Sequence, residues 1–220
     1  MSFPGTGNKR MDVFFTTTDG IRISGRLDGP DSGPSVVITH PHPLYGGDMD
    51  NQVVSTIARA YRKAGYTTLC FNFRGVGKSE GNHTGGPGEK KDLVAAIAFL
   101  SDSVSGPIVL AGYSYGAWIN ATAGPFDNVA SMVMVSPPVS FDGISFDKVS
   151  SLFRLELVVT GSRDEIAQAG AIRSMLPKWN KDARLEIIEG ADHFYSYSLE
   201  KLYEVLSDHA GGENRKNIGV

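Results

Sequence analysis

Gly112-Tyr113-Ser114-Tyr115-Gly116 is the stretch with the most chemistry in it. A serine framed by glycines two residues away on either side fits a strand that turns sharply into a helix, leaving the hydroxyl at the tip of the turn. Such a hydroxyl is a weak nucleophile until a base takes its proton, and the base needs an acid to fix its tautomer. His193 lies in Glu189-Gly190-Ala191-Asp192-His193-Phe194, just past the last strand-like run. Asp164 lies in Thr160-Gly161-Ser162-Arg163-Asp164, just past the run before it. Serine, acid, histidine is the chain order expected for a triad built on such an elbow. Blander readings stay open here: Ser114 as a helix N-cap, Asp164 as the cap of a helix starting near Ile166, Glu165 as the acid instead, and His193 as an ordinary loop histidine.

Acyl transfer to serine also needs N–H donors for the oxyanion. The amide of Tyr115, directly after the serine at a helix start, is one candidate. A second is expected from His40-Pro41-His42-Pro43-Leu44, after the run Ser35 to Thr39. Prolines have no N–H, which leaves His42, Leu44 and residues beyond. His40 and His42, with Asp48 and Asp50 nearby, invite a metal reading. Two histidines separated by one proline make a poor ligand pair without a third fixed residue, and shaping the loop is the simpler role. Gly75-Val76-Gly77-Lys78-Ser79 ends like a phosphate-binding loop, but Asn72 stands where that motif needs its first glycine.

The elements that must position these residues alternate along the chain. Asp12 to Thr17 and Ile21 to Leu27 read as a hairpin turned by Asp19-Gly20. Strands are expected at Ser35 to Thr39, Thr67 to Phe71, Ile108 to Tyr113, Val129 to Val135, Leu155 to Thr160 and Arg184 to Ile188. Helices are expected at Val53 to Ala64, Gly88 to Leu100, Tyr115 to Ala123, Ile166 to Met175 and Ser198 to Asp208. This is an α/β pattern with a mostly parallel sheet of seven or eight strands and helices on both faces. All three triad candidates then follow carboxyl ends of parallel strands, where open sheets of this class place their sites. The sequence predicts one domain over residues 1–210 and a disordered tail over 211–220. The connection from Val135 to Leu155 is too short for a cap domain.

In this order, the His40–Pro43 stretch, the run Phe73-Arg74-Gly75-Val76-Gly77-Lys78-Ser79-Glu80-Gly81, the elbow, and the Asp164 and His193 loops resemble the α/β-hydrolase superfamily. Within it the chain is most similar to small, capless bacterial members related to the dienelactone hydrolases. The resemblance implies Ser114 as nucleophile, His193 as general base, Asp164 as orienting acid, and His42 beside Tyr115 as oxyanion donor. Dienelactone hydrolases proper use cysteine where this chain has Ser114, which favours ordinary carboxylic esters or thioesters with small or short acyl groups. No cofactor is implied, and the partner is a small-molecule substrate. A peptidase or acyltransferase on the same scaffold, or a ligand-binding member without turnover, are the alternatives.

Composition bounds the rest. The 220 residues carry 21 Lys+Arg against 24 Asp+Glu, a net charge of −3, so no basic excess points to nucleic acid. Cys70 is the only cysteine, which excludes a disulfide within the chain. No apolar run approaches the ~20 residues of a membrane span, and none near the N-terminus fits a signal peptide. A cytoplasmic location is expected.

Overall fold

The computed structural model describes residues 9–152 and 154–218. Eight strands form one sheet: β1 Lys9–Thr16, β2 Arg22–Gly29, β3 Ser35–Thr39, β4 Thr67–Phe71, β5 Ile108–Tyr113, β6 Val129–Val135, β7 Leu155–Gly161 and β8 Arg184–Ile188. Their order is β1-β2-β4-β3-β5-β6-β7-β8. The β1–β2 and β2–β4 pairings are antiparallel, and all others are parallel. Helices α1 Gln52–Lys63, α2 Pro87–Ser103, α3 Tyr115–Ala123, α4 Ala169–Asn180 and α5 Leu199–Ile218 fill the crossovers and close the chain.

The central strands are apolar on both faces because the sheet is covered on both faces. Their alternation shows it. Val36, Ile38, Val109, Ala111, Val133 and Val135 join the core under α1 and α5. Val37, Ile108, Leu110, Met132 and Met134 point the other way, into the core under α2, α3 and α4. Cys70 lies in the first core, where burial pushes its thiol up to about 12. It packs as a small apolar side chain rather than a reactive thiol.

The chain leaves β3 for β4 on one side and returns from β4 to β5 on the other, so the winding reverses at β3. Crevices at such reversals, outside the carboxyl ends of the strands, are where open α/β sheets bind ligands. The loops after β3 and β5 flank that point.

Several element ends differ from the sequence expectation. Helix α4 begins at Ala169, three residues later than expected, because Asp164 Oδ1 accepts the amides of Ile166 (3.0 Å) and Ala167 (2.7 Å) and holds them in a turn. It then continues through Pro177 to Asn180, giving up only the bond that a residue-177 N–H would make to Arg173. Helix α5 runs to Ile218, through the stretch from 211 where a disordered tail is expected. Two glycines there cost about 1 kcal/mol each relative to alanine, which weakens a helix without ending it. Residues 219–220 of the expected tail lie outside the described residues. The connection from β6 to β7 contains turns and no helix among its described residues, so no lid covers the carboxyl edge. Among the described residues, no helix is long and apolar enough to cross a membrane.

Candidate active site

Ser114 sits between β5 and α3 at φ 53° and ψ −120°, a backbone conformation that L-residues rarely adopt. The glycines on either side explain how the turn closes. A Cβ on Gly112 would come within 2.7 Å of Ala117 N, Asn120 Nδ2 and Thr39 Oγ1. One on Gly116 would meet Thr39 O and Thr39 Oγ1 at 2.6 Å. The helix start therefore lies directly on β3, with a hydrogen bond from Thr39 Oγ1 to Asn120 Oδ1 (3.1 Å) beneath it. The Ser114 amide donates to Val135 O on β6 at 2.9 Å. Although Ser114 occupies the N-cap position of α3, its hydroxyl makes no capping bond.

The hydroxyl faces His193 instead, with Oγ 3.0 Å from Nε2. On its other side His193 Nδ1 is 3.0 Å from both carboxylate oxygens of Asp164. An ionised carboxylate only accepts, so Nδ1 carries the proton and Nε2 turns its lone pair to the serine. The structure thus brings together Ser114 after β5, Asp164 after β7 and His193 after β8. Glu165, the rival acid, is exposed. Asp164 also serves the blander role, since it organises the turn before α4. Burial pushes its carboxyl up, but the bond and charge of His193, the Ala167 amide and the Ser136 hydroxyl outweigh this and hold it below the usual carboxylate range.

Tyr113 fixes the histidine loop by donating its hydroxyl to His193 O at 2.9 Å, its ring 5.6 Å from the imidazole. Behind Asp164, buried Ser136 (φ 45°) pairs with the Tyr195 hydroxyl at 2.9 Å. Neither Ser136 nor Tyr195 carries a sequence signal; only the fold places the end of β6 beside the β7 and β8 loops.

On the other flank, Pro43–Tyr45 forms a single 3-10 turn. The Leu44 amide is occupied, since it donates to His42 Nδ1 at 3.2 Å. The amides of His42 and Tyr115 have no protein acceptor among the described residues. His40 is buried and uses both ring nitrogens to hold this loop: Nδ1 lies 2.7 Å from Pro41 O, and Nε2 accepts the Phe73 amide at 3.0 Å. Burial holds its imidazole down, to about 4. No group of three or more possible metal-binding side chains occurs among the described residues.

His42 also packs 4.6 Å from the Tyr115 ring and 5.0 Å from His83, whose Nδ1 lies 3.1 Å from the Glu89 carboxylate. Glu89 is fully buried and accepts the amides of Thr84 (2.9 Å) and Gly86 (2.7 Å). These groups were not evident as site neighbours from spacing, because the α2 N-terminus reaches the site only in three dimensions. In the Gly75–Ser79 run the amides of Gly75, Val76 and Ser79 go to the carbonyls of Glu80, Phe73 and Val76. The Ser79 hydroxyl accepts the Ser24 amide of the hairpin at 2.9 Å while donating to Asn72 O at 2.7 Å. It latches β2 to the end of β4.

Comparison with known proteins bears on the whole chain. Residues 34–207 match the model of a family described as an alpha/beta hydrolase domain. An uncharacterised protein of Rickettsia prowazekii is 31% identical over 209 residues, 90% of this chain and 87% of that one. Among solved structures, an alpha-beta serine hydrolase homologue from Coxiella burnetii superposes with a TM-score of 0.80 at 31% identity, covering 94% of this chain and 99% of that one. A serine hydrolase without a lid from Xanthomonas campestris gives 0.82 at 27% identity, covering 96% and 97%.

Proposed function

The chain belongs to the alpha/beta hydrolase domain family, and on that premise we propose that it is a serine hydrolase of carboxylic esters or thioesters with small acyl groups. One observation carries the reading: Ser114 Oγ, His193 and Asp164 form a continuous chain of 3.0 Å contacts at the open carboxyl edge of the sheet. The descriptions of the Coxiella and Xanthomonas relatives as serine hydrolases support it.

In this reading Ser114 Oγ attacks the substrate carbonyl carbon as its proton passes to His193 Nε2. Asp164 stabilises the imidazolium. The carbonyl oxygen, now an oxyanion, receives the amides of His42 and Tyr115, each donor typically worth about 3–4 kcal/mol. When the tetrahedral intermediate collapses, His193 returns the proton to the departing alkoxide or thiolate, leaving an acyl-enzyme. Water, deprotonated by the same imidazole, then releases the acid and regenerates the serine. No step needs a cofactor.

Labelling with a fluorophosphonate tests the proposal, because only an activated serine reacts. One label on Ser114, absent from S114A, together with hydrolysis of p-nitrophenyl acetate is the expected outcome. An unlabelled Ser114 would overturn the reading and leave a binding protein on this scaffold. Product analysis with added amines and alcohols separates hydrolysis from acyl transfer.

A further inference from the structure

The cleft over Ser114 has about 160 Å3 of space, lined in part by Tyr45, Pro138, Phe141, Ile144, Ile166 and Phe194. That is well below the roughly 300–1,000 Å3 of sites for drug-sized ligands, so it admits one small group. Among the described residues, no Lys, Arg, Asp or Glu lines it. A charged substrate group would lose water there and find no Lys or Arg counter-ion, only the Asn51 amide and the tyrosine and histidine side chains, so an acyl group with a second carboxylate or a phosphate is disfavoured against an uncharged one.

The walls are aromatic and partly bare. Tyr45, on the turn after β3, is 74% exposed, and Phe194, beside the base, is 67% exposed. Both rings stand at the mouth of the cleft, where an apolar group bound at Ser114 would cover part of them. Phe141 meets Tyr45 edge to face, centroids 5.6 Å apart at 88°, and His42 meets Tyr45 at 5.0 Å, so the two rings stand together on the side of the oxyanion turn.

The chemistry assigns the two sides. His193 must hand its proton to the leaving group, so the leaving group lies on the His193–Phe194 side. The acyl group then lies on the side of the oxyanion turn, against Tyr45 and Phe141. A flat ring gains edge and face contacts with such walls, each worth about two- to tenfold in binding, that a straight chain of equal carbon count does not.

We propose that Tyr45 and Phe141 make this an acyl site for a single uncharged aromatic ring, so that the preferred substrates are esters of benzoic-type acids. The inference rests on the serine hydrolase reading above and adds the substrate class. The covalent steps are those of the serine hydrolase cycle, with the aroyl carbonyl carbon bonded to Ser114 Oγ in the intermediate.

Vinyl benzoate and vinyl heptanoate carry seven-carbon acyl groups on one leaving group and compare ring with chain. Each kcat/KM is divided by the hydroxide-catalysed rate of the same ester to remove intrinsic reactivity. The wild type is expected to favour benzoate at least tenfold on this scale. Y45A and F141A should each bring the ratio down by threefold or more, and Y45F should restore it. A wild-type preference for heptanoate, no preference, or a ratio that neither alanine variant moves would overturn the proposal. The fluorophosphonate label separates the two levels: a labelled, acetate-hydrolysing enzyme without ring preference sinks only the substrate class, whereas an unlabelled Ser114 sinks both.

Discussion

Asp92 and Asp164 are both buried carboxylates paired to a cation-forming side chain, and they do opposite work. Asp92, fully buried on α2, takes the Arg74 amide at 2.9 Å and the Arg74 guanidinium at 2.8–3.2 Å. The outer edge of that guanidinium meets Asp19 in the hairpin turn at 3.1 Å and 3.2 Å, and Lys91 reaches Asp19 at 3.2 Å. The network is closed: the guanidinium has carboxylates on both sides, and the result is that the hairpin, the loop after β4 and α2 are clamped together. Burial pushes the Asp92 carboxyl up against the pull of Arg74, while the two carboxylates raise Arg74 and keep it charged. Asp164 also satisfies its oxygens, but its chain runs on through His193 and ends at a hydroxyl facing the cleft. A closed network stabilises one arrangement; an open-ended one has somewhere to send a proton.

The largest effects should come from breaking the open chain at its end. S114A is expected to lower kcat by about 10⁴- to 10⁶-fold, with a Tm within a few degrees of wild type, measured by ester hydrolysis and calorimetry on one preparation. D164N should follow at about 10⁴-fold, because an amide presents the wrong partner to His193 Nδ1. Breaking the closed network should reverse the pattern. R74A leaves Asp92 buried without its counter-ion, and a loss of about 3–5 kcal/mol in urea unfolding is expected, with turnover per folded molecule changed far less. An R74A protein of normal stability and no activity would end the contrast between the two regions.

Acid separates contributions on the pH axis. His40, held to about 4 in the folded state against an ordinary value near 6.5, binds its proton more readily when unfolded. Its contribution is therefore complete above its unfolded value and falls as the pH drops toward 4, by up to about 3 kcal/mol in all. Asp164 has a lowered value, so its contribution persists above the unfolded carboxylate range and is lost only below that, as the pH falls through the folded value. A denaturation series from pH 7 to pH 3 should show the first loss above the second, and the H40N variant should lack the first. The smallest expected effect is that of Y113F, which removes one hydrogen bond to His193 O and should cost about 1 kcal/mol of transition-state stabilisation, read as kcat/KM. Equal activity in Y113F would reduce Tyr113 to packing.

Much of this is legible in the sequence alone. Strands β3 to β6 and β8, and helix α3, have the expected bounds, because short β-branched runs between glycines and polar turns leave little freedom in where a buried strand starts and stops. The site residues could be proposed from their places at strand ends. Less legible were element ends set by one particular side-chain bond rather than by the apolar periodicity. Helix α4 starts late because Asp164 holds the preceding turn, and α2 starts one residue early, at Pro87, with the Glu89 side chain capping Gly86 N–H. Which amide of the His40–Leu44 loop is left free also depends on the folded loop, since only the 3-10 turn places the Leu44 amide on the His42 ring.

By itself the chain determined its periodicities and its turn chemistry, and with them an α/β sheet carrying serine, acid and histidine in that order on one edge. Such features are local: each depends on residues a few positions apart. Tertiary structure decided what meets what. Ser114 and His193, 79 positions apart, close to a 3.0 Å contact, Ser136 and Glu89 arrive from strand and helix ends with no motif to announce them, and Tyr45 joins Phe141 across the cleft. Hydrogen bonds and ring contacts act over a few ångströms, and only the packing of helices on both faces of the twisted sheet sets which distant residues come within that range.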